Sequence, residues 1–221
     1  LLPLPPRLHD RAPTHHLISY ACPTQMKPER IPLFPLEVVL FPGMTLPLHI
    51  FEPRYQLMVS RSLEKHMVFG VVLSQKDDIA AVGCTAEIVK VVKSYEDGRS
   101  DILAVGRSLF RILELFEDQP YLTGAVEYLE DRVQTATPST IRKLLNLYYK
   151  CHKVLFGQQP AAIDADVESL LSYRIASDLP LDLETKQELL ELRTETERQE
   201  HMIRRLTDWL PQIVRAGHVR T

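Results

Sequence analysis

The chain has 221 residues, 45% of them apolar and 25% charged, enough to bury a core in one large domain or two small ones. The formal net charge of -3 gives no general reason to expect a nucleic-acid partner, which selects a basic surface. The cysteines Cys22, Cys84 and Cys151 are odd in number and far apart. This argues against a disulfide framework or a zinc site and indicates a reducing, cytoplasmic setting.

The sequence contains no predicted membrane span. Its longest uncharged apolar run, 38–51, is about 14 residues long and is broken by Pro42, Gly43 and Pro47, whereas a bilayer requires roughly 20 apolar residues. The first residues, LLPLPPRLHD, lack the basic start and continuous apolar core that are typical of a signal peptide.

Residues 1–29 are rich in proline and show no periodicity. We expect a disordered tail or an extension of the gene model, with the natural start at Met26, which opens MKPERIPLFPL. His15 and His16 are adjacent but lack further metal ligands nearby, so we expect solvent-exposed side chains there.

The segment Ile31–Tyr55, IPLFPLEVVLFPGMTLPLHIFEPRY, is rich in strand-forming residues, yet it is interrupted by Pro32, Pro35, Pro42, Pro47 and Pro53. Proline is tolerated where strands begin, bulge or turn, so the pattern predicts several short strands. These are Ile31–Phe34, Val38–Phe41 and Thr45–Ile50, with the Pro42-Gly43 turn before the last. Short curved strands are typical of a small closed barrel.

A short helix is predicted over Glu52–His66, with Pro53 in its first turn. Its predicted buried face follows helical spacing through Tyr55, Met58, Val59 and Leu63. Further apolar runs predict the strands Met67–Ser74, Val82–Tyr95, Asp101–Leu115 and Tyr121–Leu129. The turn Glu96-Asp97-Gly98-Arg99 predicts a hairpin between the two longest strands.

After Arg132 the apolar spacing becomes helical. Thr137 is a predicted N-cap, Pro138 lies in the first turn, and the helix is predicted to end at Gly157. A second helix is predicted to begin at Asp164 and to bury one face that contains Val167, Leu170, Leu171 and Ile175.

A third helix is predicted from Asp182 to about Leu210, with Pro211 as its stop. Its ends are apolar, whereas its middle, Arg193–His201 (RTETERQEH), is polar. Two interpretations stay open. The helix is docked at both ends with a solvated middle, or it projects and engages a partner through its distal apolar end near Trp209.

No catalytic or metal-binding constellation is recognised. Ser62 and Lys65 have the SxxK spacing of serine acyl-enzymes, but the accompanying motifs are missing and surface positions explain the pair better. Cys84 falls in an apolar strand and is predicted to belong to the core. The nearest acidic and histidine grouping lacks the second histidine of a metal set: Glu197, Glu200 and His201. We therefore predict no metal and no cofactor.

Several stretches of this chain occur together in one known family. They are IPLFPLEVVLFPGMTLPLHIFEPRY, VGCTAEIVKV, the hairpin, VGRSLFRILEL and SYRIASDLPLDLETKQELLEL. In this order they resemble the Lon amino-terminal domain, also called the Lon substrate-binding domain, to which a domain of cereblon is related. The resemblance covers about Arg30 to Leu210, nearly the whole chain.

The resemblance implies an α+β fold, in which a PUA-like β pseudo-barrel (30–132) precedes a helical subdomain (133–221) with a long terminal helix. In full-length Lon proteases this domain precedes an AAA+ ATPase and a Ser-Lys peptidase, and it helps to capture unfolded or tagged substrates. None of the eight glycines here is followed by Lys, so the GxxxxGK[ST] phosphate loop is missing. The sequence thus resembles a stand-alone Lon-domain protein without enzymatic activity.

The expected ligands are unfolded or partly folded polypeptides, in protein quality control, with a protease or ATPase as a further partner. Capturing such chains requires exposed apolar surface, and the candidate residues are Phe41, Met44, Phe51, Glu52 and Arg54. The alternative is that Phe41 and Phe51 are barrel core and that Glu52 and Arg54 only cap and solvate the helix start.

RNA binding is a second hypothesis, because PUA-like barrels often bind RNA. The barrel half lacks a clustered basic stretch with interleaved aromatic residues, so nucleic acid is the less favoured ligand.

Overall fold

The strand-forming runs and helical stripes become seven strands and five helices in the part of the chain that the structure, a computed structural model, describes: residues 29–76, 78–132, 136–161, 163 and 170–218. The predictions for the N-terminal tail, Asp164 and Val167 lie outside these residues. The elements are β1 Glu29–Leu36, β2 Thr45–Ile50, α1 Pro53–Lys65, β3 Phe69–Gln75, β4 Asp78–Ile79, β5 Val82–Ser94, β6 Ser100–Phe116, β7 Thr123–Leu129, α2 Pro138–Phe156, α3 Leu171–Asp178, α4 Leu183–Glu191 and α5 Glu195–His218.

Five strands close into a ring, which confirms the predicted pseudo-barrel. β1 pairs antiparallel with β7, and the order continues through β6, β5 and β3. β3 then returns to β1 as its parallel neighbour, so β1 has a partner on both edges. A tight interior cluster fills the ring: Ile31, Leu33, Val72, Phe110 and Val126. Glycine at positions 70 and 83 makes room for the Phe110 ring.

β6 is long enough to belong both to the barrel and to an extension of the same sheet. Its second half pairs with β7 in the barrel, whereas its first half, Ser100–Val105, lies between β2 and β5. Beyond the barrel, β2, β6 and β5 therefore form a three-stranded extension that ends in the predicted hairpin turn. In that turn Gly98 has φ +86°, and the amide of Tyr95 donates to the carbonyl of Arg99 at 2.9 Å.

The predicted strand Val38–Phe41 is wrong. The chain there is irregular, although Val39, Leu40 and Phe41 are all buried. The run packs these side chains into the core that the barrel shares with the helices, where Phe41 contacts Tyr173 of α3, and among the described residues it has no strand partner.

Helix α1 begins and ends as predicted, with Glu52 at the N-cap and His66 in the left-handed conformation at the C-cap. Its buried face differs in one position. Ser62 is buried and Leu63 is 39% exposed, because the core contacts the i, i+3, i+4, i+7 series from Tyr55 rather than i+8. In α2 the predicted cap is confirmed: the Thr137 side chain accepts from the Thr140 amide.

The predicted third helix is two helices. Asp182 caps α4, but the chain leaves the helix after Glu191 and α5 begins at Glu195. Thr194 explains the restart, because its hydroxyl accepts from the Glu197 amide at 3.1 Å and donates to the Glu197 carboxylate at 2.9 Å. The sequence is the Thr-x-x-Glu of a capping box, with the difference that the Glu197 carboxylate accepts from the amide of Arg193 at 3.3 Å.

Pro211 does not stop α5, which continues to His218. The turns around this proline pack their apolar residues, Trp209, Leu210 and Ile213, against the core cluster that joins the barrel to the helices. Tertiary packing therefore outweighs the hydrogen bond that proline removes. None of the described helices has the length and apolar character needed to cross a membrane.

The expectation of a solvated middle for this region is also wrong. Arg198 is 0% exposed, and Thr194, Glu195 and Gln199 are buried beside it. Arg198 donates from Nε to Glu195 at 3.0 Å and from Nη1 to Asp131 at 3.1 Å, and its guanidinium lies 4.4 Å from the ring centroid of Tyr173. We call Asp131, Tyr173, Glu195 and Arg198 the Arg198 cluster.

Arg198 stays charged in the core. Burial alone lowers the pKa of Arg198, but hydrogen bonding to Asp131 and the charges of Asp131 and Glu195 outweigh burial and raise that pKa above its ordinary value. Glu195 accepts from the Ser172 amide, the Ser172 hydroxyl and the Gln199 amide group as well. The cluster therefore ties α3 and α5 to the residue that follows β7.

Substituting Arg198→Ala is expected to lower the free energy of unfolding by about 3–5 kcal/mol, because Glu195 then stays buried without its counter-charge. Arg204→Ala, at an exposed position of the same helix, is the matched control and should change it by less than about 0.5 kcal/mol. Urea denaturation measures both. Equal effects in the two variants would contradict a structural role for the cluster.

Candidate functional site

The Pro42-Gly43 turn is held against β6 by backbone hydrogen bonds. The Gly43 amide donates to the carbonyl of Gly106, and the Gly106 amide donates to the carbonyl of Met44, both at 2.9 Å. Gly43 has φ +76°, which glycine adopts without strain. A side chain at Gly106 would overlap the carbonyl oxygen of Phe41. These hydrogen bonds to β6 hold the backbone of Met44 in place.

An open cavity of about 460 Å³ lies between this turn and α3. We call it the Met44 cleft. The turn contributes Pro42, Gly43, Met44 and Thr45, and the other wall is formed by Leu170, Tyr173, Arg174, Ser177 and Asp178. Met44 is half-buried, and its sulfur lies 3.5 Å from the Ser177 hydroxyl, which also donates to the Tyr173 carbonyl at 2.7 Å.

The rim of the Met44 cleft carries both charges. Arg174 is exposed on one side. On the other, Asp178 accepts from the hydroxyl of Tyr148 at 2.6 Å and lies 3.5 Å from Nε2 of His152. Nδ1 of His152 donates to the carbonyl of Gln158 at 2.8 Å, since a carbonyl can only accept. Burial, and then the Asp178 carboxylate, raise the pKa of Tyr148, so this phenol stays protonated as the donor.

Two of the five candidate residues form part of this end of the barrel. Phe41 is fully buried, and its ring stacks on Tyr173 with the centroids 4.8 Å apart. It supports the cleft wall from behind, whereas Met44 lines the cavity itself. The alternative that Phe41 is core fits its burial.

The other three candidates lie at the opposite end of β2, roughly 20 Å away along the strand. Phe51 is 60% exposed, which contradicts the alternative that it is barrel core. Arg54 donates to Glu52 at 2.8 Å, and its guanidinium lies over the Tyr55 ring. The structure thus separates Met44 from Phe51, Glu52 and Arg54.

The α3 wall of the cleft was not found from the sequence. Ser177 is 133 positions away from Met44, and α3 was predicted only as a helix with an inward apolar face. The sole signal was the SYRIASD stretch within the family resemblance, which carries no spacing that indicates a ligand.

The candidate nucleophiles are inaccessible. Ser62 is buried, whereas Lys65 is exposed, so the SxxK pair does not share a solvent-facing site. Cys84 is fully buried, and burial raises the pKa of its thiol to about 12, in agreement with the predicted core position. Burial also raises the pKa of Cys151 to about 11. Among the described residues, no three His, Cys, Asp or Glu side chains are grouped to hold a metal ion.

A sequence model for the ATP-dependent protease La (LON) substrate-binding domain matches residues 30–208. The chain belongs to the Lon substrate-binding domain family. Lon protease of Anaeromyxobacter dehalogenans is 31% identical over 180 residues, which cover 74% of this chain and 21% of that protein. Lon protease 2 of Myxococcus xanthus is 30% identical over 180 residues, which cover 74% and 22%. The matched part is thus about a fifth of these relatives.

Solved structures of Lon N-terminal domains share the fold. The Lon N-terminal domain protein from Xanthomonas campestris matches with a TM-score of 0.64 and 27% identity, over 82% of this chain and 98% of that one. The N-terminal domain of Mycobacterium avium complex Lon protease matches with a TM-score of 0.52 over 83% and 98%. At 18% identity this second likeness concerns the fold alone.

The different roles of Phe41 and Met44 predict different stability effects. Phe41→Ala should lower the free energy of unfolding by about 3–5 kcal/mol, because it empties a buried site behind Tyr173. Met44→Ala should cost about 1 kcal/mol or less, because its side chain faces the open cleft. Guanidinium denaturation of the two variants checks this, and an equal loss would show that Met44 is a core residue.

Proposed function

We propose that this protein is a non-catalytic module that binds unfolded or tagged polypeptides in protein quality control. Membership of the Lon substrate-binding domain family supports the proposal. The observation that carries it is the Met44 cleft, a cavity of mixed apolar and polar lining with a charged rim, beside a turn that is hydrogen-bonded to β6. Unfolded chains differ from folded ones in the apolar side chains they leave in water, and a cleft of this kind selects that feature.

The Met44 cleft has the dimensions for such a ligand. Its volume of about 460 Å³ lies within the range of protein ligand sites, roughly 300–1,000 Å³. Methionine has a flexible, polarisable side chain, which suits apolar ligands of varying shape. Arg174 and Asp178 on the rim can pair with polar groups of either sign that flank the inserted side chain.

Phe51, Glu52 and Arg54 are proposed as a second contact for the same ligand. An extended chain of about six residues spans the roughly 20 Å between Met44 and Phe51. When one contact of an extended chain is bound, the effective concentration of its second binding segment at the other surface increases. A folded protein rarely presents two such segments in extended form. Two separated contacts can therefore favour unfolded chains over folded ones even though neither contact is a deep pocket.

The proposed setting is the cytoplasm, with a protease or ATPase as the partner that processes bound chains. The similar proteins are named Lon protease, and this chain covers about a fifth of the two described above. A role without hydrolysis is supported by the missing phosphate loop and by the burial of Ser62 and Cys84.

Binding of a fluorescently labelled, chemically unfolded test protein, followed by anisotropy, tests the proposal. We expect the unfolded form to bind and the native form not to bind. Met44→Glu should weaken binding about tenfold, because it places a charge on the apolar wall. Leu113→Glu is the matched control, since Leu113 is exposed on β6 eight positions beyond Val105, the partner of Thr45.

Three results would contradict the proposal. They are equal binding of native and unfolded protein, ATP or peptide hydrolysis above a blank, and tight binding of single-stranded or hairpin RNA that weakens steeply as salt increases. The last result would favour the RNA-binding alternative.

A further inference from the structure

One stretch of β5 has a strand neighbour on a single side. β3 pairs only with the start of β5, through Cys84–Ala86. From Glu87 to Ser94, β6 is the one strand that pairs with β5 in the described part of the chain. We call Glu87–Ser94 the open β5 edge. All its side chains except the half-buried Ile88 are exposed.

The two faces of the open β5 edge differ in character. Lys90 and Lys93 pair with Leu103 and Asp101 and lie on the outer face, together with Glu87. Ile88 and Val91 pair with Ala104 and Ile102, which are buried, and thus continue the inner apolar face. The register shifts once between Ile88 and Lys90 and again between Val91 and Lys93, and the extra residues are Val89 and Val92. Val92 is 59% exposed.

The charge of the edge is positive. The Glu87 carboxylate is paired with Arg107 at 2.6 Å, and that of Asp101 accepts from Tyr95 and contacts His49. Lys90 and Lys93 are both exposed on the same face, and the ammonium of Lys93 lies 4.4 Å from the ring centroid of Tyr95.

We infer that the open β5 edge binds an extended segment of a partner polypeptide as an added strand, and that acidic side chains of this segment alternate with apolar ones. The backbone groups along an unpaired edge provide hydrogen bonds for such a strand. In the added strand the acidic side chains face Lys90 and Lys93, and the apolar ones extend the inner face beside Ile88 and Val91. This inference rests on the proposed polypeptide-binding function and assigns it a further surface and a ligand chemistry.

The same features argue against a second copy of this chain as the occupant. Two copies paired through this edge would bring Lys90 and Lys93 of both chains together, and like charges opposite each other destabilise a strand pair. The two irregularities also prevent a long flat pairing, so only a few residues of a bound segment pair with the edge. A short acidic segment meets both conditions.

The edge is separate from the Met44 cleft. Thr45 of β2 and Glu87 of β5 pair with the same residue, Val105, from opposite sides of β6. The two surfaces therefore flank one strand and can be altered independently, which makes their contributions separable by experiment.

The probe is a synthetic peptide of about ten residues in which Val and Glu alternate. We expect Lys90→Glu/Lys93→Glu to weaken its binding about tenfold, and a peptide with Lys in place of Glu to recover the loss with that variant. Lys150→Glu/Lys153→Glu is the matched control, because these lysines are also exposed and three positions apart, on α2. Calorimetry measures the affinities.

Backbone pairing is tested with the same peptide methylated on alternate backbone nitrogens, which removes donors and keeps the side chains. We expect methylation of one alternate set to abolish binding and methylation of the other set to have little effect. Hydrogen exchange on the intact protein should show slower exchange of amides within Glu87–Ser94 when the unmethylated peptide is bound.

The outcomes separate the two proposals. If the peptide does not bind, binds equally to the charge-reversed variant, or leaves exchange of the edge amides unchanged, the inference about the edge is wrong. Binding of the unfolded test protein that is lost with Met44→Glu would still support the proposed function. If neither the peptide nor the unfolded protein binds, both are wrong.

Discussion

The buried Arg198 guanidinium contacts two carboxylates, those of Asp131 and Glu195. These contacts join the end of the barrel to the helices, which are distant from it in sequence. Asp131 follows the last barrel strand, Glu195 begins α5, and Tyr173 belongs to α3. An unpaired charge in this position would be costly, so arrangements of the helices and the barrel that separate Arg198 from Asp131 and Glu195 are disfavoured. The net stabilisation from these ion pairs matters less here than the positions of α3, α5 and Asp131 that they require.

The Arg198 cluster is connected to the Met44 cleft through two further contacts. The Tyr173 ring lies between the Arg198 guanidinium and the ring of Phe41. The carbonyl of Phe41 in turn accepts from the Met44 amide at 3.1 Å. The cleft therefore rests on a buried stack of side chains, and the flexible side chain of Met44 lies at its surface end. A rigid wall beside a flexible side chain suits a site that accepts many sequences.

The exposed apolar residues of the β2, β6 and β5 extension fall on both sides of β6. Phe51 lies at the end of β2, and Val89 and Val92 lie along β5. The barrel closes through β1, β3, β7 and the barrel halves of β5 and β6, so the other halves of β5 and β6 can carry apolar surface together with β2 without opening the core. Lysines and register shifts along β5 disfavour pairing of that surface with itself, which is how edge strands avoid aggregation.

Local signals in the sequence determined most of the elements. The hairpin turn at Gly98, the caps at Thr137, Gly157 and Asp182, and the proline-bounded short strands follow from backbone preferences that neighbouring residues set. Only the tertiary structure decided that Arg198 is buried, since its partner Asp131 lies 67 positions away. The same holds for α5 continuing through Pro211 and for the α3 wall beside Met44. The spacing of apolar residues along a chain indicates which face of a helix or strand is buried. Whether a charged residue is buried, or a cleft forms, depends instead on which distant segment packs beside it.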